Sequence, residues 1–434
     1  MTYQRSRRQA IKSLGLGGLV GLTTPALLAA APARRKKLPV AAVITEYWKY
    51  SHADVILGKI LNGWRQAGGE GPDLELVSVY VDQFPENDLS RGLARKHGFR
   101  IAGTIDEALT LGTNKVAVAG VLSIAEHGKY PYTTVTRQHM YPRRRFYDGI
   151  VAAMKRCGQF VPVFNDKHLG YRWQDASHMV QTARRHRMPL MAGSSIPVTW
   201  RYPATELPIG SRLEQALVVG HSTSESYLFH ALEALQCIVE RRRGGESGIK
   251  AVRAIRGEEI WAAQKRGDWS QSLLKAALGT LDSPTDELKA RIGHADTVFF
   301  LIEYRDGLKA TAAMFPSAIG PKPPKFSCQL AVACQVARQS KPFACWLKTP
   351  GIPFPHFAEL LRGIEHMVHT GKPAYPVERT LLTTGLLDRM MHGMHPQKGM
   401  RLRTPELAIR YEAPRWGFAN RKDTNRSETG AVEP

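Results

Sequence analysis

The chain has 434 residues, 43% of them hydrophobic, and a formal net charge of +22 at pH 7. That length is more than one ordinary core accommodates, and the composition excludes a wholly disordered chain. The basic runs Arg34 to Lys37, Arg143 to Arg145 and Arg241 to Arg243 lie far apart and carry no recognition-helix, zinc-finger or aromatic RNA-binding pattern. They are expected as solvated surface, with no nucleic-acid partner; contact with an anionic cell-wall polymer or acidic glycan stays open.

Arg7 and Arg8 precede an apolar run from Leu14 to Ala31, and this beginning resembles a twin-arginine export signal. Gly17, Gly18, Gly21 and Pro25 interrupt the run, which argues against a membrane span. Ala31-Pro32-Ala33 offers small residues for cleavage before Arg34. Residues 1–33 are therefore expected as a signal peptide, the mature chain as periplasmic or otherwise exported, and the translocase as a partner; an uncleaved signal would anchor it. Such signals accompany proteins that travel already folded, often with a cofactor. The mature chain keeps +18 of the charge, because four basic residues precede position 34.

From Val40 to about Trp200, short apolar runs alternate with helix-length segments. Val40 to Ile44, Leu76 to Tyr80, Val116 to Ile124, Phe160 to Phe164 and Pro189 to Ala192 are expected strands. Such alternation predicts an α/β fold with a Rossmann-like, doubly wound parallel sheet over 38–200. Trp173, Ala176, Met179, Val180 and Ala183 mark a helix packed on it.

After Trp200 the rhythm changes. A helix is expected from about Ser226 to Arg241, and Thr297 to Tyr304 with Leu308 to Phe315 forms a hairpin around Asp306-Gly307. Further strands surround Cys328 to Cys334 and Phe343 to Leu347. Amphipathic helices follow at Phe357 to Val368 and Thr380 to Met391. This predicts an α+β domain over 201–410 with a mainly antiparallel open sheet, then a disordered tail over 420–434. The cysteines, at 157, 237, 328, 334 and 345, include no Cys-x-x-Cys pair and read as mostly free and buried, a disulfide remaining open.

Asn165-Asp166-Lys167-His168-Leu169 stands just after an expected strand, at the edge that borders the ligand crevice of an open α/β sheet. A lysine there donates to a sugar oxygen, or moves a proton if burial lowers its pKa. Its rival reading is a surface lysine beside a helix-capping Asp166. Glu126 and His127 follow the Val116 to Ile124 strand and would line the same crevice, or simply form a polar turn. On the Ser226 to Arg241 helix, His230 lies on the flank of the apolar stripe with Ser226 and Glu233. A structural histidine is the alternative.

The order of elements and these motifs resemble the Gfo/Idh/MocA oxidoreductases of sugars and polyols, across roughly residues 38 to 410. The resemblance makes Lys167 the counterpart of the lysine in the family's Glu-Lys-Pro signature, and His230 the counterpart of its helix histidine, with Ser226 replacing the aspartate four residues earlier. It implies catalysis by Lys167 and His230 and NAD or NADP as cofactor; Glu126, His127, Asp166 and Glu233, by their positions beside these two residues, are the expected substrate contacts. It also implies a small carbohydrate or polyol substrate and a homo-oligomer joined through the open sheet of the second domain.

A dinucleotide site normally carries Gly-x-Gly-x-x-Gly after the first strand. Here the run is Thr45-Glu46-Tyr47-Trp48-Lys49-Tyr50, without glycine. Two outcomes follow: a remodelled loop that still holds the nucleotide through Thr45, Tyr47, Ser51 and His52, with Asp82 on the ribose; or an exported, non-catalytic carbohydrate-binding protein on the same fold. A cofactor-independent lyase or hydrolase built from Glu126, His127 and His230 is the third reading. The pairs His366/His369 and His392/His395 lack a third ligand, so no metal site is expected. Gly193-Ser194-Ser195 lacks the second glycine of a nucleophile elbow.

Overall fold

A computed structural model describes residues 36–281, 287–317, 329–395 and 399–421. The expected signal peptide thus lies outside the described residues, as does Cys328. The first sheet is built from β1 (Leu38–Ile44), β2 (Leu74–Val81), β3 (Arg100–Ala102), β4 (Gly120–Ile124), β5 (Val163–Asp166) and β6 (Leu190–Gly193). Between them run α1 (His52–Asn62), α2 (Ser90–His97), α3 (Ile105–Thr110), α4 (Arg143–Cys157) and α5 (Trp173–Arg185). All described pairings are parallel and the order is β3-β2-β1-β4-β5-β6, the doubly wound arrangement whose crevice lies at the carboxyl ends of the strands. Val40 to Ile44 are fully buried because both faces are covered, which is why β1 shows no apolar–polar alternation. β4 and β5 begin later than their apolar runs suggest, at Gly120 and Val163, and β3 carries too few residues for a pattern to mark it.

The second sheet contains β7 (Trp200–Tyr202), β8 (Leu213–His221), β9 (Ile249–Ile255), β10 (Val298–Tyr304), β11 (Lys309–Phe315), β12 (Ala331–Val336), β13 (Phe343–Lys348) and β14 (Arg401–Arg403). Its pairings are antiparallel except β8 with β11. One face packs on α6 (Glu225–Val239). The other is not bare: α7 (Glu258–Lys265), α8 (Gln271–Gly279) and α9 (Leu288–Gly293) place Ile260, Leu274, Leu278 and Ile292 against it.

Two late helices tie the site together. α10 (His356–Thr370) lays Phe357, Leu361, Ile364 and Met367 on the first sheet, in one cluster with Val40 and Ile44. Gly120 permits this approach, since a Cβ there would sit 2.7 Å from Val368. α11 (Val377–Met394) is buried nearly all round and contributes to both cores, Leu381 to the first and Leu386 and Met390 to the second. Its polar residues pin the first sheet's loops: Thr384 Oγ1 accepts from Leu169 N at 3.1 Å, Thr380 Oγ1 donates to Ala192 O at 2.7 Å, and Asp388 Oδ2 accepts from Trp173 N at 3.1 Å.

The basic runs are not uniformly solvated. Arg143 is fully buried, and Arg241 and Arg242 are buried as well, each paired with carboxylates outside its own run. Arg242 meets Glu246 and Asp306 at 2.9 and 2.6 Å. Sequence shows a run of like charge but not the carboxylates that tertiary folding brings to it. At the expected tail, Asn420 exchanges hydrogen bonds with both backbone groups of Arg201; residues from 422 onward lie outside the described set. Cys157, Cys237, Cys334 and Cys345 are free thiols.

Candidate active site at the carboxyl edge of the first sheet

Lys167 follows β5 in a left-handed conformation, φ 60°, and forms a bridge to Gly193, the last residue of β6. This turns its side chain inward. Lys167 Nζ donates to Glu126 Oε1 at 2.7 Å, and both residues are buried. Glu126 follows β4, and its other oxygen accepts from Arg143 Nη2 at 2.5 Å. Burial alone would raise the Glu126 carboxyl; Lys167 and Arg143 outweigh it and hold it well below the usual carboxylate range. Two loop residues and the first residue of α4 thus form one buried charge cluster.

The cluster extends on both sides. His168 Nε2 lies 3.0 Å from Arg143 Nη1 and 3.1 Å from Glu225 Oε1. One ring nitrogen either accepts from the arginine or donates to the carboxylate, so its proton decides which neighbour is served. Glu225 also accepts from the backbone of His139 at 2.7 Å. Opposite, Asp166 Oδ2 meets His52 Nδ1 at 2.7 Å, and the His52 ring packs against His127 and Phe357. His127 Nε2, Asp166 Oδ1 and His230 Nδ1 are buried without partners, which marks a polar interior able to engage further groups.

His230 is half-buried on α6. Burial, with the positive charges of Lys167 and His52, pushes its pKa well below the histidine range. A neutral imidazole in the field of Lys167 is a proton acceptor. His127 is driven the same way, to about 4, by burial against the opposing pull of Glu126. Glu233 is fully buried, accepts from Ser194 N at 2.7 Å and is raised by burial to about 7.

The structure therefore brings Lys167, Glu126, Asp166 and His52 together, with His127 against His52 and His230 in the field of Lys167. Glu233 adjoins Gly193, the bridge partner of Lys167. Arg143 belongs to a run expected at the surface, and the residue pattern assigned no role to His168 or Glu225. Glu225 stands one residue before Ser226, so a carboxylate occupies this helix start after all, directed to His168. Sequence also missed a serine–histidine pair, Ser195 Oγ to His356 Nδ1 at 2.8 Å. Burial and the Lys59 and His52 charges lower His356 to about 3, too weak a base to activate a serine near neutrality.

The expected cofactor contacts fare differently. Tyr47 is fully buried in the core with Val40 and Ile44, so it cannot stack on a ligand. Ser51 is also buried; its Oγ accepts from Trp48 N and Asp54 N as the cap of α1, while Asp54 Oδ2 accepts from Tyr50 N at 2.8 Å. Amides that would face a pyrophosphate are thus served by the chain's own groups, one of them anionic. Thr45 Oγ1 donates to Glu126 O at 2.5 Å. Asp82 accepts from Tyr80 Oη, Tyr130 Oη and Arg145 Nη2 at 2.9, 2.6 and 2.6 Å, which leaves little of its carboxylate for a ribose.

The groove itself is filled by the segment after β4. Gln83 and Lys129 exchange two hydrogen bonds at 2.9 and 3.2 Å, His127 packs on Trp48, and Tyr130 reaches Asp82 at the end of β2. A chain running from β4 across β1 to β2 follows the course a dinucleotide takes over this fold. The residues as placed do not fit one. Regarding metals, His369 bonds Asp73 O and His392 bonds Asp388 O; among the described residues no cluster of three or more His, Cys, Asp or Glu could hold an ion.

No protein-family model matches the chain, and no curated protein matches it. Solved structures do. GenD2 from gentamicin A biosynthesis, solved in complex with NAD, superposes with a TM-score of 0.52 at 15% identity, covering 85% of this chain and 97% of GenD2. Apo scyllo-inositol dehydrogenase from Lactobacillus casei gives a TM-score of 0.51 at 10% identity, covering 85% of this chain and 98% of the other. Both are of the Gfo/Idh/MocA type, and their identities to this chain are low enough that what is shared is architecture. The chain has the fold of these dehydrogenases.

Proposed function

We propose that this chain is an enzyme of carbohydrate or polyol chemistry, of the oxidoreductase class its fold neighbours represent, in which Lys167 and His230 handle the proton of a reacting hydroxyl. The observation that carries the reading is the buried Lys167–Glu126 pair at 2.7 Å beside a neutral His230. Glu126 fixes Nζ, and the remaining ammonium hydrogens are free to bind a substrate oxygen. His230 is a weak base at rest and takes the hydroxyl proton as the hydride leaves the carbon, when that hydroxyl becomes strongly acidic. Asp166, His52 and His127 border the same space and orient neighbouring hydroxyls.

GenD2 binds NAD, and a bound dinucleotide would supply a hydride acceptor. To bind, it would have to displace the segment after β4 that lies over the groove. That same observation favours a second reading: a carbohydrate-binding protein, or acid–base enzyme, that uses the crevice without a nucleotide. Export of the folded chain belongs to the proposal too, on the strength of residues 1–33. Association of copies through the second sheet would have to use the part that α7, α8 and α9 leave bare.

The test is a panel of polyols and monosaccharides offered to the purified chain with NAD or NADP, followed by nicotinamide absorbance and thermal denaturation. Nucleotide reduction that disappears in Lys167→Ala supports the oxidoreductase reading. Saturable sugar binding with neither reduction nor nucleotide-dependent stabilisation overturns it and supports the second.

A further inference from the structure

A polar cavity lies beyond the carboxyl end of α6, at the far end of that helix from Glu225 and His230. Glu206 there faces three guanidinium groups. Arg201 Nη1 lies 3.4 Å from Oε1, and Arg241 Nη2 and Arg421 Nη1 lie 3.0 and 2.8 Å from Oε2. Glu240, the other acid lining the cavity, is already engaged by both Arg379 nitrogens and by Tyr411 Oη at 2.9 Å. It contributes no free negative charge. The carbonyl end of α6 adds roughly half a negative charge. A surplus of about one and a half positive charges remains around Glu206 by that count.

Arg201 is the least satisfied member. It is 3% exposed, and its Nε has no acceptor. Its Nη2 makes only long contacts, 3.3 Å to Pro197 O and 3.9 Å to Cys237 Sγ. One face of the guanidinium lies over the Phe418 ring at 4.1 Å. Burial opposes the charge of Arg241, and so do the like charges of Arg201 and Arg421, though Glu206 supports it. Buried cations in excess of their acids are costly and call for a counterion. An open cleft lined by Thr205, Glu206, Arg241 and Arg421 gives access from solvent.

We infer that this cleft binds an oxyanion, a phosphate, sulfate or carboxylate group, clamped by Arg421 and Arg241 and drawn by the charge of Arg201. The cleft is separate from the chemistry proposed at Lys167. A planar guanidinium pairs with such groups through two parallel hydrogen bonds, which an ammonium cannot match. Glu206 acts as the internal competitor that holds the arginines in place when no anion is bound.

Titration calorimetry on the full chain at low ionic strength tests this, with inorganic phosphate, glucuronate and glucose as probes. Saturable binding of phosphate or of glucuronate, but not of glucose, is expected; which anion binds more tightly tells whether the natural group is phosphoryl or carboxyl. Arg421→Ala, at a half-exposed position that should fold, is expected to weaken binding about tenfold or more. Glu206→Gln removes the competitor and is expected to tighten it, a result that general loss of structure cannot give. Absence of saturable binding by both anions, or affinities identical in wild type and Arg421→Ala, overturns the inference.

Discussion

Tyr130 Oη donates to Asp82 Oδ2 at 2.6 Å, joining the segment after β4 to the end of β2. Arg145 Nη2 donates to the same oxygen. Burial would raise the Asp82 carboxyl, but Arg145, Tyr130 and Tyr80 together lower it, so the acceptor is a carboxylate. A hydrogen bond to a charged acceptor contributes about 1.5–3 kcal/mol. Tyr130→Phe should therefore loosen the segment over the groove, raising hydrogen exchange of the Lys129 amide, which donates to Gln83, about tenfold or more. Unchanged exchange would show that Asp82 does not hold the segment down.

Glu126 neutralises two buried cations. Glu126→Gln keeps the shape and removes the charge, leaving Lys167 and Arg143 facing a neutral amide. The expected loss of stability is about 3–5 kcal/mol, read by denaturant unfolding. A loss below about 1 kcal/mol would mean that the cations find another partner.

His230 is held neutral across the physiological range. If it takes the substrate proton, His230→Gln should lower kcat by about 10²–10⁴, and the wild-type kcat profile should show no break near the ordinary histidine pKa. A break near 6.5 that vanishes in the variant would place the free-solution pKa on His230 and contradict the burial-driven shift.

Histidines dominate the acid side of stability. His127 and His356 fall to about 4 and about 3 in the folded chain, so below about 6.5 the unfolded chain binds protons that the folded one does not. Stability therefore drops as pH falls from about 6.5 toward 4. Glu233, raised to about 7, acts in the opposite sense, binding a proton when folded and releasing it when unfolded between about 4.3 and 7. Glu233→Gln should make the acid loss steeper in pH-dependent melting; a shallower loss would reverse the assignment.

Gly193 sits at φ 124°, and a Cβ there would lie 2.6 Å from Glu233 Oε1 and 3.0 Å from Thr380 Oγ1. Gly193→Ala should cost about 1–3 kcal/mol through backbone strain and displace the bridge to Lys167. Thermal denaturation and activity report the two effects separately.

The residue pattern alone marked five strands of the first sheet and the long helices, because burial on both faces writes continuous apolar runs into β1 and β4, and a 3.6-residue stripe into α5, α6 and α10; it did not mark β8, β9 or the helices α7 to α9. It placed Lys167, Glu126 and Asp166 at one sheet edge for the same reason: parallel strands all end on that side. It also showed that the phosphate loop lacks glycine. Only the tertiary structure decided what those side chains touch. Arg143 became buried because Glu126 and His168 converge on it from two loops, Ser51 and Asp54 turned inward to serve α1, and Tyr130 crossed to Asp82. Such pairings cost chain entropy that no local pattern records, and they form only where packing brings distant carboxylates and cations within about 3 Å of each other.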